Sequence, residues 1–510
     1  MPYQPDKNIQ RDYLIYSLIF VITFLSRYLF SENNFFDGDT VGVALGSISY
    51  SLQSTRPHLP GYFLHVKLVS LLSPLFKDIH QTMIFVSTFY SSVGAVFCFA
   101  LLKKWFRVKT SLIITAMVIY DPLVWFQGST PEVYSFDLVL SSLFVLLALS
   151  GRAIYLTPIL LGLGTGIRQT SGLLLLPLYI YLWYKKFKSG EVSWPKILLL
   201  HIAGLIIFLI WFIPMVNSAG GLSEYINLYK INSPLPNISL AQNIFQFSSY
   251  CFFIFTPMIL ILLFLKPKKK FLSGLTDSDK NVIFILLLWL VPSLITFIFF
   301  TYHKGYFLIS IIPLFSFAGL LLEKGLLKYY GALLIFITEI LFFTLMPYKE
   351  LTVQSMIKQD LRTQNLFETW TDRTFSSYLM AYSRIKYQDD LIEELSGIVE
   401  KNKSKIIFLD PTIYLSARGM QLKYPGVIFI TMDYYKPNSY FEYSGLNITS
   451  KEGMNNVLVN SLLISRRDFY NYYLNGIVKN VNDDANYISI LIDEKCKNAI
   501  MSKYQNIFMR

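Results

Sequence analysis

The chain has 510 residues, of which 53% are apolar, 16% aromatic and only 15% charged, with a net charge of +12. Soluble globular proteins usually carry about 25% charged residues, so this composition argues against a soluble protein and indicates that much of the chain faces lipid. The basic residues form short runs between apolar segments rather than one patch, which argues against nucleic-acid binding and makes them topology signals.

Apolar segments predict about eleven membrane-spanning helices, because about 20 apolar residues cross a bilayer core. They lie at 12–30, 82–102, 111–127, 133–150, 153–167, 171–184, 196–216, 247–265, 281–301, 305–322 and 329–346. The first is too long for a cleavable signal peptide and lacks a small-residue cleavage site. The three cysteines, Cys98, Cys251 and Cys496, are scattered, so neither a disulfide framework nor a cysteine metal cluster is predicted.

The basic runs predict the topology. They follow the second, sixth, eighth and tenth spans, which all end on one side of the membrane. The positive-inside rule makes that side cytoplasmic and agrees with a basic, cytoplasmic N-terminus. An odd number of spans then leaves the C-terminus outside. The first loop, 31–81, faces outside together with 127–132, 167–171, 217–246 and 301–304.

The composition changes near residue 347, where charged and polar runs begin. Residues 1–347 are predicted to form a polytopic α-helical membrane domain, and residues 348–510 an extracytoplasmic α/β domain. In the second part, KIIFLD and GVIFITM indicate buried strands, while DLIEELSGIVEKN and TIYLSARGMQLK indicate helices. Strands that alternate with helical patterns favour a small α/β fold. No internal repeat is visible.

Two carboxylates stand at the start of the first outer loop, in the stretch FFDGDTVGVALG. Asp37 and Asp39 follow the first span directly. Either is explained by solvation, or as the cap of a helix that begins near Thr40. A partly desolvated carboxylate can instead act as a general base towards an acceptor hydroxyl. The apolar stretches further along the loop, 46–52 and 61–75, are expected to form short interfacial helices.

The same loop contains the stretch RPHLPGY. Pro57 and Pro60 restrict the residues before them, so Arg56 and His58 are expected on a stiff, non-helical segment near the headgroups. Arginine offers a planar fork of donors that suits phosphate, and histidine can donate or accept a proton near neutral pH. For Arg56, a plain headgroup anchor is the alternative.

Further polar residues occur in the other outer turns. GSTPEVYSFD places Glu132 at the start of the fourth span, with Pro131 in the first helical turn. A stabilising role at the helix N-terminus explains Glu132 equally well. GLGTGIRQTSG places Arg168 and Gln169 between two short spans.

TYHKGYFLIS places His303, Lys304 and Tyr306 in the last outer turn. Ionisable residues inside the spans are candidates for function by default. These are Asp121, Asp137 and Glu339. Together the polar residues describe an outer-leaflet cavity with carboxylates and cations, which suits an anionic, phosphate-bearing lipid. The sequence contains no GxxxxGK[ST] loop or dinucleotide-binding fingerprint.

The order of these motifs resembles the GT-C superfamily of membrane glycosyltransferases. The most similar branch contains protein O-mannosyltransferase-like and aminoarabinose-transferase-like proteins, and the resemblance covers about 12–320. The family usually has H-P-P-G-Y where this chain has H-L-P-G-Y, with Leu59 in place of the first proline. The chain lacks the W-W-D-Y-G signature of oligosaccharyltransferases, which argues against en bloc glycan transfer to asparagine.

The resemblance implies an extracytoplasmic active site, a polyprenyl-phosphate-linked sugar donor and an acid of the first loop as catalytic base. The family typically has an aspartate followed by a helical run, and DTVGVALG fits that pattern from Asp39, so Asp39 ranks above Asp37 as the base. Glu132 becomes a candidate for positioning donor or acceptor. Candidates for the lipid phosphate and the donor are Arg56, His58, Arg168, Gln169, His303, Lys304 and Tyr306.

We therefore expect transfer of a hexosyl or pentosyl group to an extracytoplasmic protein, lipid or glycan by an inverting displacement. A retaining route would need a second carboxylate, and Asp37 is the nearest in sequence. No cofactor is certain, a divalent metal is left open, and the oligomeric state is not predicted. A transporter or lipid flippase is the main alternative, although it would need polar groups near the membrane midplane. A membrane sensor that uses 350–510 is a third hypothesis.

Overall fold

The computed structural model describes most of the helical part and the sheet that follows it. The described residues are 5–31, 35, 38–232, 275–299, 304–325, 327–345, 392–401, 406–409, 414–432, 440–442, 461–467, 482–483, 487–493 and 498. Within them, the chain is a bundle of apolar helices followed by strands that alternate with shorter helices.

The described helices of the bundle are between 8 and 24 residues long. In chain order, the first seven are α1 (Pro5–Tyr28), α2 (Gly38–Ile48), α3 (Phe63–Leu72), α4 (Ile79–Leu102), α5 (Val108–Tyr120), α6 (Pro122–Ser129) and α7 (Phe136–Ala148). The next seven are α8 (Thr157–Ile167), α9 (Gln169–Lys188), α10 (Trp194–Asn217), α11 (Leu222–Asn232), α12 (Asp277–Phe299), α13 (Leu308–Glu323) and α14 (Tyr329–Leu345).

Helices occupy ten of the eleven predicted spans, and the predicted span at 247–265 lies outside the described residues. Within the described part, four helical segments are long and apolar enough to cross a membrane, or five if α5 and α6 form one bent span. These are the helices of an integral membrane protein. The total of eleven spans stays a prediction.

Small residues allow the helices of the bundle to approach closely, as is typical of membrane proteins. A Cβ atom added to Gly94 of α4 would lie 2.7 Å from the Cβ atom of Leu138 on α7. Likewise, a Cβ atom on Gly162 of α8 would lie 2.5 Å from the carbonyl oxygen of Gly204 on α10. These contacts place α4 against α7 and α8 against α10.

The predicted span at 111–127 is not one continuous helix, because the chain breaks there into α5 and α6, which meet at an angle of 62°. Pro122 occupies the first turn of α6, where its missing N–H is tolerated. The carboxylate of Asp121 accepts hydrogen bonds from the N–H groups of Leu123 and Val124, at 3.0 and 3.2 Å. Asp121 is therefore the N-cap of a new helix.

Of the two interfacial helices predicted in the first loop, the second is a helix, α3, which continues into a short 3₁₀ turn at Ser73–Leu75, and its position at the interface stays a prediction. The first is wrong: the helix is α2, which ends before most of the predicted stretch. The backbone of Ser51 and Arg56 exchanges two hydrogen bonds of 2.8 and 2.9 Å, and this pairing replaces helical hydrogen bonds. The peptide bonds before Pro57 and Pro60 are both cis.

Beyond the bundle, two helices and six strands are described. They are α15 (392–401), β1 (Ile406–Leu409), α16 (Tyr414–Lys423), β2 (Ile428–Met432), β3 (Tyr440–Glu442), β4 (Leu462–Arg466), β5 (Asn482–Asp483) and β6 (Tyr487–Leu491). The strands form one sheet in the order β3-β2-β1-β4-β6-β5. β1 pairs in parallel with β2 and β4, and the outer pairs are antiparallel.

Helices α15 and α16 and strands β1 and β2 lie where the sequence pattern predicts them. Leu395 and Met420 of the two helices are buried in one cluster with Ile407 and Phe429 of the strands. Helix α16 also packs against α2, and its Leu422 contacts the core of the bundle. A separate domain at 348–510 and its position outside the membrane stay predictions.

Candidate functional site

A pocket lies where the first loop meets the turn between α6 and α7. Three segments form its wall: the first two turns of α2, the RPHLPGY segment and the PEVY turn. The lining residues are Asp39, Thr40, Val43, His58, Tyr62, Pro131, Glu132, Val133 and Tyr134. Three sequence-predicted site residues, Asp39, His58 and Glu132, thus come together in one pocket.

Asp39 lies in the first turn of α2, where the helix dipole favours a carboxylate. Its side chain is 52% exposed, so it is accessible from the pocket. The Nδ1 atom of His58 lies 3.6 Å from the Oδ1 atom of Asp39, which makes the two a carboxylate–imidazole pair. Asp37, the other candidate base, lies outside the described residues.

Glu132 lines the same pocket and is only 6% exposed. The prediction that it lies at the start of a helix is wrong, because α7 begins at Phe136. Thr130 ends α6 through a hydrogen bond from its N–H to the carbonyl of Phe126, and the N–H of Glu132 donates to the carbonyl of Thr130. Stabilisation of a helix N-terminus therefore does not explain Glu132.

Arg168 is buried next to the pocket rather than exposed in it. Its side chain is 1% exposed and forms an ion pair with Asp137, whose carboxylate also accepts a hydrogen bond from Ser171. The guanidinium carbon lies 4.4 Å from the ring centre of Tyr134 and 4.8 Å from that of Tyr306, so both rings provide cation–π contacts. Arg168 does not line the pocket itself; it contacts Tyr134, which does.

Two tyrosines that the sequence analysis did not single out, Tyr62 and Tyr134, also line the pocket. Burial raises the pKa of Tyr62 well above its usual range; Tyr306 adds to the effect, and the Arg168 guanidinium opposes it. The phenol of Tyr62 therefore stays protonated at physiological pH and is a hydrogen-bond donor. Tyr62 belongs to the P-G-Y motif of the first loop, and Tyr134 to the P-E-V-Y motif of the turn after α6. Their place in these motifs is the sequence signal that could have identified them as site residues.

The late H-K-G-Y motif approaches the pocket through Tyr306, whose ring centre lies 6.2 Å from that of Tyr134. A Cβ atom on Gly305 would lie 2.4 Å from the ring of Tyr134, so this tyrosine packs directly on the glycine backbone. His303 and the side chain of Lys304 lie outside the described residues.

The remaining predicted phosphate ligands, Arg56 and Gln169, do not line this pocket. Arg56 is buried, and its backbone pairs with Ser51. The amide nitrogen of Gln169 donates to the carbonyl of Pro60 at 3.3 Å, and the hydroxyl of Tyr225 donates to the same oxygen at 3.3 Å. Gln169 thus fixes the segment that carries His58.

The chemistry available in the pocket is proton transfer and hydrogen bonding. Two carboxylates, one imidazole and a neutral phenol line the same pocket. Within the described ranges, no three His, Cys, Asp or Glu side chains come together as a metal site requires.

Comparisons with known proteins bear on the fold. No protein-family model matches the chain, and no curated protein matches its sequence. The chain is similar to the crystal structure of ArnT from Cupriavidus metallidurans in the apo state, with a TM-score of 0.60 and 12% identity over 93% of this chain and 97% of that one. It is also similar to the ArnT structure bound to undecaprenyl phosphate, with a TM-score of 0.56 and 11% identity over 94% and 97%. The fold is therefore that of ArnT, and the GT-C resemblance drawn from the motifs is confirmed for the fold.

Proposed function

We propose that this protein transfers a hexosyl or pentosyl group from a polyprenyl-phosphate donor to an extracytoplasmic acceptor. The observation that carries the proposal is the pocket in which Asp39 of the first loop faces Glu132 and lies 3.6 Å from His58. An ArnT-like fold supports a lipid-linked donor, since one of the similar structures holds undecaprenyl phosphate.

In the proposed reaction, Asp39 removes the proton of an acceptor hydroxyl while its oxygen attacks the anomeric carbon of the donor. The bond from this carbon to the phosphate oxygen breaks, the leaving group is the polyprenyl phosphate, and a single displacement inverts the anomeric configuration. Negative charge grows on the phosphate, so protein groups that donate hydrogen bonds to it stabilise the transition state. The phenol of Tyr62 is the hydrogen-bond donor that the pocket offers for this role, whereas His58 is proposed to assist Asp39 through their 3.6 Å contact.

Arg168 supports the same role indirectly. Its charge lies against the ring of Tyr134, and Asp137 holds it in place. We propose that it contributes a positive field to the pocket and is not a direct phosphate ligand of the resting state. Glu132 is proposed to position the donor or the acceptor.

The orientation proposed for the protein follows from the basic runs that end the even-numbered predicted spans. They favour a cytoplasmic N-terminus, an outer pocket and an outer position for 348–510. A polyprenyl-linked donor in the outer leaflet would then reach the pocket from the bilayer.

A transporter is the competing function. Transporters often bind their substrate at the ends of a broken helix, and the break between α5 and α6 is such a feature. Here the broken helix ends are occupied by the chain's own side chains. Asp121 caps α6, and Arg27 donates to the carbonyl of Ile119 at the end of α5. This arrangement favours the transferase.

The decisive experiment measures the transfer of labelled sugar from a panel of polyprenyl-phosphate sugars in membranes that contain the wild type, Asp39→Asn or Asp78→Asn. Asp78 is a matched control, because it is an outer-loop aspartate whose carboxylate caps α4 through the N–H of Gln81 at 2.8 Å. Asparagine is an equally good N-cap, so Asp78→Asn should remain folded and active.

We expect transfer by the wild type and the control, and a loss of at least about 100-fold in Asp39→Asn. Near-full transfer by Asp39→Asn would show that another group is the base. If the wild type transfers no sugar but moves a labelled lipid across vesicles, the transporter hypothesis replaces this one.

A further inference from the structure

One charged side chain inside the bundle is not used by the proposed reaction. Arg27 near the end of α1 has a fully buried side chain, and it forms none of the ion pairs found in the described part of the chain. A charged group inside a membrane is costly and is retained only where polar groups compensate it. Within the described residues, the partners of Arg27 are therefore groups other than carboxylates.

The partner is the C-terminal end of α5. The guanidinium of Arg27 donates to the carbonyl of Ile119, and its carbon lies 5.6 Å from the ring centre of Tyr120. The last carbonyls of a helix lack helical partners and carry the negative end of its dipole. Arg27 thus supplies both a donor and an opposite charge at the point where α5 stops.

Arg27 also contacts the other side of the break. A Cβ atom on Gly128, near the end of α6, would lie 3.2 Å from the Nε atom of Arg27 and 2.7 Å from the hydroxyl of Ser91. The Nε atom of Arg27 donates to the same hydroxyl at 3.0 Å. Arg27 and Ser91 therefore pack against the last turn of α6, where a Cβ atom at 128 would clash with Ser91.

The end of α6 is fixed from a second direction by α4. The hydroxyl of Ser87 donates to the carbonyl of Gln127 at 2.9 Å, and that of Thr88 donates to the carbonyl of Gly128 at 3.1 Å. The next residues of the chain are the PEVY turn, which forms one wall of the pocket. The position of this wall depends on how α6 leaves the break.

We propose that Arg27 is a positioning residue, which holds the bend between α5 and α6 and thereby sets the place of Glu132 and Tyr134 opposite Asp39. The effect on catalysis rests on the proposed function, whereas the effect on the wall does not. Arg27 acts through the carbonyl of Ile119 and through Ser91, which packs against Gly128.

The test compares Arg27→Gln, Arg27→Lys and Gly128→Ala with Ser310→Ala in the full-length protein in nanodiscs. Ser310 is a matched control, because its buried hydroxyl donates to Ser293 at 2.6 Å and joins α12 to α13 instead of α5 to α6. Amide hydrogen exchange at 127–135 reports the wall independently of activity. Thermal unfolding reports general stability, and the kcat and KM of sugar transfer report catalysis.

Arg27→Gln should raise amide exchange at 127–135 about tenfold, because hydrogen bonds to a charged group are lost. It should also lower kcat by about tenfold to 100-fold, since small displacements of aligned groups are costly, with a smaller change in KM. Arg27→Lys should restore part of both losses, because a cation still reaches the helix end. Gly128→Ala should reproduce the exchange pattern, and Ser310→Ala should leave exchange at 127–135 unchanged.

Unchanged exchange at 127–135 in both Arg27→Gln and Gly128→Ala would overturn the inference, whatever the activity. Faster exchange with unchanged transfer would overturn the catalytic part. A wild type without transfer would contradict the proposed function alone, because the exchange measurement still tests the wall. If Arg27→Gln does not fold, Arg27→Lys and Gly128→Ala are compared with the wild type for amide exchange at 127–135 and for sugar transfer.

Discussion

Arg168 and Asp137 form an ion pair whose two side chains are 1% and 0% exposed. The pair joins the start of α9 to α7, and the hydroxyl of Ser171 completes the contacts of the carboxylate. Water is excluded from both charges, so each depends on the other. The pair lies against Tyr134, and any disturbance of it reaches the wall of the pocket.

Removing one partner of this pair should be strongly destabilising. Asp137→Leu leaves the Arg168 guanidinium buried without its carboxylate, and we expect a loss of about 3–5 kcal/mol in the free energy of unfolding. Replacing both residues, as in Asp137→Leu with Arg168→Met, should cost less than either single change, because no buried charge remains. Unfolding in mixed micelles compares the wild type, Asp137→Leu, Arg168→Met and the double variant.

An exposed pair provides the control for this prediction. Lys280 and Asp277 form a contact of 2.9 Å on the surface of α12, with exposures of 61% and 98%. Asp277→Asn should produce no measurable change in unfolding. A double variant that is less stable than both single variants would contradict the assignment of Arg168 and Asp137 as an interdependent pair.

The positions of the helices were largely predictable, because long apolar runs admit few alternatives in a membrane. The break at Asp121–Pro122 was missed although its signals are local: an aspartate that can cap a helix stands directly before a proline that suits a first turn. A hydropathy average does not reveal such a break, since the residues on both sides of it are apolar. The helix predicted at 46–52 failed for a different reason, because backbone pairing between Ser51 and Arg56 competes with it.

Residue type predicted part of the site, and packing decided the rest. Asp39, His58 and Glu132 were candidates and do line one pocket, although their roles stay predictions. The sequence offered Arg168 and Asp137 as separate candidates. Their pairing depends on how α7 packs beside α8 and α9, which local pattern does not encode. For the same reason, Tyr225 was missed as a partner of the Pro60 carbonyl.

The carbonyl of Pro60 accepts two hydrogen bonds, and this predicts a non-additive pair of variants. Tyr225→Phe or Gln169→Ala alone leaves one donor, so each should cost about 0.5–1.5 kcal/mol of unfolding free energy. The double variant leaves the Pro60 carbonyl without either hydrogen-bond donor. We expect it to lose about 1 kcal/mol more unfolding free energy than the sum of the two single losses. KM for the donor should rise in parallel, because this segment carries His58. Unfolding and transfer assays on the four proteins measure both effects.

Tyr155→Phe is the matched control for this cycle, since its hydroxyl donates to the carbonyl of Glu191 at 3.4 Å at an exposed position. It should leave both stability and transfer unchanged. Strict additivity of Tyr225→Phe and Gln169→Ala would mean that the two donors do not share the Pro60 carbonyl in solution.

Gly305→Ala should disturb the pocket by a steric route. The new Cβ atom would lie 2.4 to 2.5 Å from three ring atoms of Tyr134, and the rigid ring must move away. We expect a loss of about 1–3 kcal/mol in the free energy of unfolding, together with slower transfer. Thermal unfolding and an activity assay measure these losses.

The assignment of this clash is tested in a Tyr134→Ala background, where Gly305→Ala should cost little because the ring is gone. Gly397→Ala serves as the control, since a Cβ atom at Gly397 meets nothing within 4 Å. That residue lies within α15, so alanine should be neutral or stabilising by up to about 1 kcal/mol. An equal cost of Gly305→Ala with and without Tyr134 would contradict the steric explanation.

The pairing of His58 with Asp39 predicts a specific pattern of activity losses. His58→Phe keeps an aromatic ring beside Tyr62, at a position where the ring centres lie 5.2 Å apart, but removes the nitrogen 3.6 Å from the carboxylate. If both side chains act in one proton transfer, His58→Phe should lower kcat by about tenfold to 100-fold. Adding it to Asp39→Asn should then cause no further loss, because groups that act as a unit are not additive. His201→Phe, which removes a 2.6 Å contact with Tyr179 outside the pocket, should remain active. Multiplicative losses in the double variant would instead assign His58 a role independent of the base.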